Sequence, residues 1–155
     1  LHNEKIRLHI VGSGDTSMYK KEAEMLGVEK QCVWHGQISH DDVQKMMQRS
    51  DLFFFTSVAE GTPHVVLEAI GNALPVLCFN VCGQGDSVND SVGLKVPLTN
   101  PIQSADDFAE KINYLYNNRE YLQKLSDGCK QRQKELSWDN KAKQMVEFYK
   151  NIIDE

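Results

Sequence analysis

The run Leu52-Phe-Phe-Phe55, the polar turn after it and the segment Pro63-His64-Val65-Val66-Leu67-Glu68-Ala69-Ile70 constrain this chain more than any other stretch. Four successive apolar residues without alternation read as a buried strand. The turn Thr56 to Thr62 then leads into a helix. Pro63 suits the first helical position, whose N–H has no intrahelical partner. Thr62 stands one residue earlier, where a side-chain oxygen can cap the open amides. Two carboxylates bracket this helix start, Glu60 in the turn and Glu68 on the helix. The N-terminus between them is a ready anion site, above all for phosphate.

The flanking sequence repeats the alternation of strand and helix. Ile6 to Val11 reads as a strand ending in Gly12-Ser13-Gly14-Asp15, and Tyr19 to Leu26 as a helix closed by Gly27. Gln31 to His35 is a second strand, stopped by Gly36. Asp41 to Arg49 is a helix with Ser39 as N-cap and Asp42 three residues on, placing Val43, Met46 and Met47 in the core. Leu52 to Thr56 is the third strand and Pro75 to Asn80 the fourth. Cys82 to Asp86 reads as a flexible glycine loop, and Gly93 to Pro97 as a short fifth strand. Three helices follow, from Ser104 to Asn117, from Glu120 to Leu136 with an interruption at Gly128, and from Lys141 to Ile153. This order predicts an α/β fold, a Rossmann-like, mostly parallel sheet flanked by helices, as one domain over residues 1–155. Ligands of such sheets bind outside the carboxyl ends of the strands. Gly12 to Gly14, Gly36, Ser57 to Glu60 and Cys82 to Asp86 all follow strand ends, so they are expected to share one ligand edge.

Several function classes are unsupported. A net charge of −5 offers no basic footprint for nucleic acid. No apolar run approaches the roughly 20 residues that span a bilayer. Leu1 to Gly14 lacks the apolar region of a signal peptide, so a cytoplasmic protein is expected. The first residue is not Met, which fits a piece of a longer chain. The cysteines, Cys32, Cys78, Cys82 and Cys129, form no C-x-x-C pair and read as reduced and structural. Gly12-x-Gly14 falls short of a dinucleotide fingerprint, because position 17 is Ser17 and the next strand ends in Trp34-His35-Gly36 without an acid. The histidines show no metal-ligand spacing, His9 and His35 reading as packed or edge residues of strands. No G-x-S-x-G elbow is present.

The glutamates carry more. Val65, Val66, Leu67, Ala69 and Ile70 surround Glu68 with apolar residues, so the helix is expected to be buried nearly all round. A carboxylate there needs hydrogen-bond partners, and the vicinal hydroxyls of a ribose would serve. Glu60 could simply pair with the helix N-terminus, worth about 0.3–1 kcal/mol. The two lie on the order of 10 Å apart if the segment is mostly helical. A nucleotide sugar could span that distance with its phosphates at the helix start. The residues alone leave the reaction open.

The stretch Glu60-Gly-Thr-Pro-His-Val-Val-Leu-Glu68-Ala69 resembles the E-x7-E motif of the family 4 glycosyltransferases, retaining enzymes of the GT-B fold. Asp51 to Ser57 and Pro75-Val76 match the segments that flank the motif. Leu8-His-Ile-Val-Gly12-Ser-Gly14 resembles the family's l-x-I-v-G-x-G, and Val33-Trp-His-Gly36 its V-x-F-x-G. Gly83 to Asp86 with Gly93 to Pro97, and Ser137-Trp138 with Tyr149, resemble its later blocks, so the likeness runs through nearly the whole chain. It implies a domain that binds a UDP- or GDP-linked sugar as co-substrate, with no cofactor and no metal. By resemblance Glu60, the catalytic candidate, contacts sugar hydroxyls and Glu68 the ribose. Ser57, Gly61 and Thr62 belong to the same donor-binding turn, and amides near His64 and Val65 face the diphosphate. The Gly36-Gln37-Ile38 turn lines the base, and Gly12 and Gly14 let the backbone approach the donor.

This sequence also departs from the family pattern. Family members carry an upstream strand ending in G-R-l and then a Lys, whose two cations hold the diphosphate, and this chain begins after them. That strand lies near the sheet centre, which leaves rearrangement, swapping or self-association of the fragment open. Ala73-Leu74 and Asp86 replace usual residues. The resemblance implies the C-terminal half of a hexosyltransferase, inactive alone. A missing N-terminal domain would take the glycan or lipid-linked acceptor, at the inner face of the membrane. Two other classes stay open: a nucleotide-sugar epimerase of the same fold, and a non-catalytic nucleotide-binding module.

Overall fold

Apolar runs too short to fold alone become strands here because helices cover them. The computed structural model describes residues 5–153, and its contacts divide the chain into one unit up to Met46 and another from Met47 on. In the first unit, β1 (Leu8–Val11) pairs in parallel with β2 (Cys32–Gly36), and α1 (Ser17–Met25) connects them. Leu8, His9 and Ile10 stand opposite Cys32, Val33 and Trp34, and a register shift then sets Val11 opposite Gly36. The Asp15 carboxylate accepts the Ser17 N–H at 2.8 Å, and that bond holds its carboxyl below the usual range. At the other end Gly27 (φ 66°) closes a Schellman turn, with Val28 N–H donating to Ala23 and Gly27 N–H to Glu24. α2 (His40–Met47) starts in the expected cap: Asp42 N–H donates to Ser39 Oγ, which donates to the Asp42 carboxylate at 2.7 Å.

The second unit holds three parallel strands in the order β3 (Phe53–Phe55), β4 (Val76–Phe79), β5 (Gly93–Val96). Its helices are α3 (His64–Gly71), α4 (Cys82–Ser87), α5 (Pro101–Asn117), α6 (Arg119–Glu135) and α7 (Trp138–Ile153). Every residue of the central strand β4 is buried, as a strand paired on both edges and covered on both faces must be. Leu77, Phe79 and Val96 pack with Phe108, whose ring meets Phe54 and Phe79 edge-on at 5.0 and 4.8 Å. Leu115, Leu122 and Leu125 form a second cluster with Leu52 and Leu94. Among the described residues no helix is long and apolar enough to cross a membrane.

The structure is the expected α/β arrangement of parallel strands flanked by helices, with some differences in detail. The strands form two sheets, β1-β2 and β3-β4-β5, where the sequence predicted one. Residues 82–87 are helical rather than a flexible loop. Arg132 on α6 caps that short helix, its guanidinium donating to the Asp86 and Ser87 carbonyls at 3.1 and 3.2 Å. α5 starts before Ser104, at Pro101, because Asn100 Oδ1 accepts the Ile102 and Gln103 N–H groups. α6 runs unbroken through Gly128, where the missing side chain leaves room for the Ser91 carbonyl. α7 starts at Trp138, capped by Ser137 Oγ, which accepts the Asn140 N–H.

The four cysteines are free thiols, Cys78 and Cys129 buried. Burial pushes both of these thiols up to about 11, with Lys95 pulling Cys78 slightly back. Their folded pKa values lie above the unfolded value, so the stability they contribute is complete below pH 9.0 and is lost as pH rises toward about 11. The urea midpoint of unfolding should therefore fall across that window, and the fall should shrink in a Cys78→Ala, Cys129→Ala double variant compared with its own midpoint below pH 9.0.

Candidate functional site

In the first unit the strand ends supply glycine turns. Gly12 (φ 144°), Gly14 (φ 127°) and Gly36 (φ 64°) adopt backbone conformations that L side chains rarely reach. A Cβ at any of them would meet nothing within 4 Å, so these glycines serve the turn rather than a tight fit. Gly12 N–H donates to the Gly36 carbonyl at 2.9 Å and ties the two turns together. They wall a cleft of about 330 Å³ with Trp34, His35, Gln37 and Lys20. The Lys20 amine stands 5.8 Å over the Trp34 ring, within cation–π range. His35 is steadied by His9, their rings stacked and His9 Nδ1 lying 2.9 Å from His35 Nε2. Gly12, Gly14 and Gly36 thus share one cleft, and Ile38, half-buried, is not among the residues that line it.

In the second unit β3 runs into the turn that carries Glu60. Ser57 Oγ donates to Glu60 Oε1 at 2.7 Å, which fixes an exposed carboxylate on a short loop. The turn is clipped to the start of α4 at three points: Gly83 N–H donates to Gly61 O at 2.9 Å, Gln84 Nε2 donates to Ser57 O at 3.0 Å, and the Cys82 thiol points at Val58 O at 3.8 Å. Cys82 itself takes φ 53° to begin that helix. Lys95 on β5 donates to the Gly85 carbonyl at 3.0 Å and holds the helix from the sheet side.

α3 begins one residue later than predicted. Pro63 is the N-cap, with φ −71° and ψ 109°, and Thr62, exposed, makes no side-chain cap bond. Pro63 is buried and accepts the Val66 N–H at 3.0 Å. The N–H groups of His64 and Val65 therefore lie ahead of the first helical acceptor and point out of the helix end. Ala69, Ile70 and Val66 face the core, while Val65, Leu67 and Glu68 are half-buried. The helix is thus buried on one face rather than nearly all round, which brings the Glu68 carboxylate within reach of solvent. Asn72 closes the helix by donating from Nδ2 to the Glu68 carbonyl at 2.9 Å.

Ser57, Glu60 and Gly61 are brought together in one clipped turn, and Thr62, His64, Val65 and Glu68 follow along the start of α3. Among the described residues no three His, Cys, Asp or Glu side chains are grouped to hold a metal ion. Sequence reasoning missed the fastening residues Gly83, Gln84 and Lys95. The one available signal was a glutamine between two glycines a few residues after a strand, a polar residue whose burial only the structure reveals.

The family described as Glycosyl transferases group 1 matches residues 1–135, up to the end of α6. Among curated proteins, an uncharacterized glycosyltransferase of Methanocaldococcus jannaschii is 32% identical over 99% of this chain and 38% of its own length. The lipopolysaccharide 1,6-galactosyltransferase of Salmonella typhimurium is 30% identical over 69% of this chain and 30% of its own. Among solved structures, Anabaena HepE in complex with UDP superposes with a TM-score of 0.77 at 19% identity, covering 94% of this chain and 41% of that one. The pneumococcal O-GlcNAc transferase GtfA, in complex with UDP and GlcNAc, superposes with a TM-score of 0.75 at 19% identity, covering 96% and 29%. These structural likenesses show a shared fold. The chain spans under half the length of each of these proteins.

Proposed function

We propose that this chain, which belongs to the group 1 glycosyl transferases, is the donor-binding part of an enzyme that moves a hexosyl group from a UDP- or GDP-sugar to a glycan or lipid-linked acceptor with retention. The observation that carries this reading is the start of α3. There an exposed carboxylate, fixed by Ser57, stands in the turn before two outward amides, and a second carboxylate follows on the same helix. Amides are suited to a diphosphate, because they offset its charge without a counter-ion. They also favour the leaving nucleoside diphosphate as its charge develops, which lowers the barrier to transfer. Glu60 takes the donor sugar's hydroxyls and Glu68 the ribose hydroxyls. In the first unit, the glycine-walled cleft beside Trp34 and Gln37 suits a base, whose flat ring needs an apolar face and a polar rim. Two relatives or neighbours of known ligand support the donor class, since HepE and GtfA are each described with UDP bound. Acceptor binding is assigned to a part of the enzyme outside this chain.

The reading is tested by calorimetric titration of UDP, UDP-glucose, GDP and GDP-mannose. One nucleotide series should bind, and Glu68→Ala should weaken its nucleoside diphosphate by about 1–3 kcal/mol, the range for a hydrogen bond to a charged group. Absence of binding by all four ligands in the full-length enzyme would overturn the donor assignment. Unchanged affinity in Glu68→Ala would remove Glu68 from the site.

A further inference from the structure

We propose that Gln84 is a positioning residue for Glu60, acting through Ser57. This inference rests on the donor-site reading, in which Glu60 meets the sugar. Gln84 is fully buried, at 0% exposure. Its Nε2 donates to the Ser57 carbonyl at 3.0 Å, while its Oε1 is buried with no partner among the described residues. An orphaned buried amide oxygen costs stability, and an apolar side chain of the same length would fill this volume without that cost. The arrangement therefore makes sense through what the other end of the amide does. Ser57 is the next link, because its hydroxyl donates to Glu60 Oε1 at 2.7 Å. Gly83, the neighbour of Gln84, holds the far end of the same turn through its N–H to Gly61 O. The first turn of α4 thus grips residues 57–61 at both ends, and the gripped segment carries the exposed carboxylate. A side chain with no exposed surface cannot touch a ligand itself, so its effect on the ligand must pass through Ser57 and the carboxylate that Ser57 orients.

The consequence is a split between two ligands that share every group but the sugar. In Gln84→Met, which keeps the length and removes the donor, affinity for the diphospho-sugar should fall about tenfold, roughly one hydrogen bond's worth. Affinity for the corresponding nucleoside diphosphate should stay within about twofold, since Glu60 does not meet it. UDP-glucose against UDP, and GDP-mannose against GDP, are the pairs to titrate. Ser57→Ala should show the same split, and Ser57→Thr, which keeps the hydroxyl, should restore the wild-type ratio. A purely structural Gln84 would weaken both members of a pair alike. If Gln84→Met does not fold, the wild-type chain still decides: the Gln84 side-chain amide resonances should shift on adding the diphospho-sugar and stay in place with the nucleoside diphosphate. Equal losses for both ligands, no loss for either, or amide shifts that are the same with both would overturn the link while leaving the donor site intact. A wild-type chain that binds no member of either pair would overturn both.

Discussion

Gly83→Ala is expected to lower the stability of the chain by about 3–4 kcal/mol, combining an overpacked backbone contact with the hydrogen bond it breaks. A Cβ at position 83 would sit well inside contact distance of the Gly61 carbonyl oxygen and 2.8 Å from Thr62 Cα. Both neighbours are main chain, so no flexible side chain can move aside. Relief requires the 57–62 turn to separate from α4, and that separation breaks the Gly83 N–H to Gly61 O bond and pulls on the bond from Gln84 to Ser57. The same movement displaces Glu60, so the diphospho-sugar binding proposed for this turn should be lost together with stability. Gly61→Ala is the matched control, because a Cβ there meets nothing within 4 Å. Its stability should stay within about 0.5 kcal/mol of the parent. Urea unfolding of the three proteins checks both statements, and a Gly83→Ala variant as stable as Gly61→Ala would show that the clip is slack.

The second large effect lies in the core. Leu77→Ala should cost about 3–4 kcal/mol, within the range for deleting a fully buried leucine. Leu77 is 0% exposed on the central strand, and it packs with Phe79, Val96 and Phe108, with Phe54 and Leu52 behind them. Its neighbours cannot collapse into the gap easily. The Phe108 ring is wedged edge-on between Phe54 and Phe79, and β4 is pinned by β3 on one side and β5 on the other. The urea midpoint should fall with an unchanged denaturant slope, the mark of a stability change without a change in the unfolded chain. A loss below about 1 kcal/mol would mean that this layer is loosely packed.

Both effects bear on how far the sequence could be read. The apolar runs at Phe53–Phe55 and Val76–Phe79 announced strands, and the structure pairs them directly, but the run read as buried, Phe53–Phe55, is only half-buried because β3 lies at the edge of its sheet, while the central β4 is buried throughout. Gly27 and Ser39 act as the caps their chemistry suggested. Pro63 was one residue out, because proline serves as well just outside a helix as at its first position, and the outcome depends on where the chain enters. Asn100 was passed over in favour of Ser104, although an Asn before a Pro is a stronger start signal than a serine within an apolar pattern. The segment Cys82–Ser87 misled for a different reason. Two glycines in six residues predict a loose backbone, and the helix exists because Gly61, Ser57, Lys95 and Arg132 hold it from outside.

The sequence by itself therefore determined the order of elements, the strand β4 and the two carboxylates that bracket the start of α3. Local rules suffice for these: apolar periodicity, caps and spacing along the chain. Only the tertiary structure decided that the strands form two sheets, that α3 buries one face and leaves Glu68 half-exposed, and that a buried glutamine holds the turn of Glu60. Each of these depends on which groups meet across long separations in sequence, 27 residues in the case of Ser57 and Gln84. A hydrogen bond of that kind leaves no periodic trace in the chain, because its geometry exists only after the core has closed.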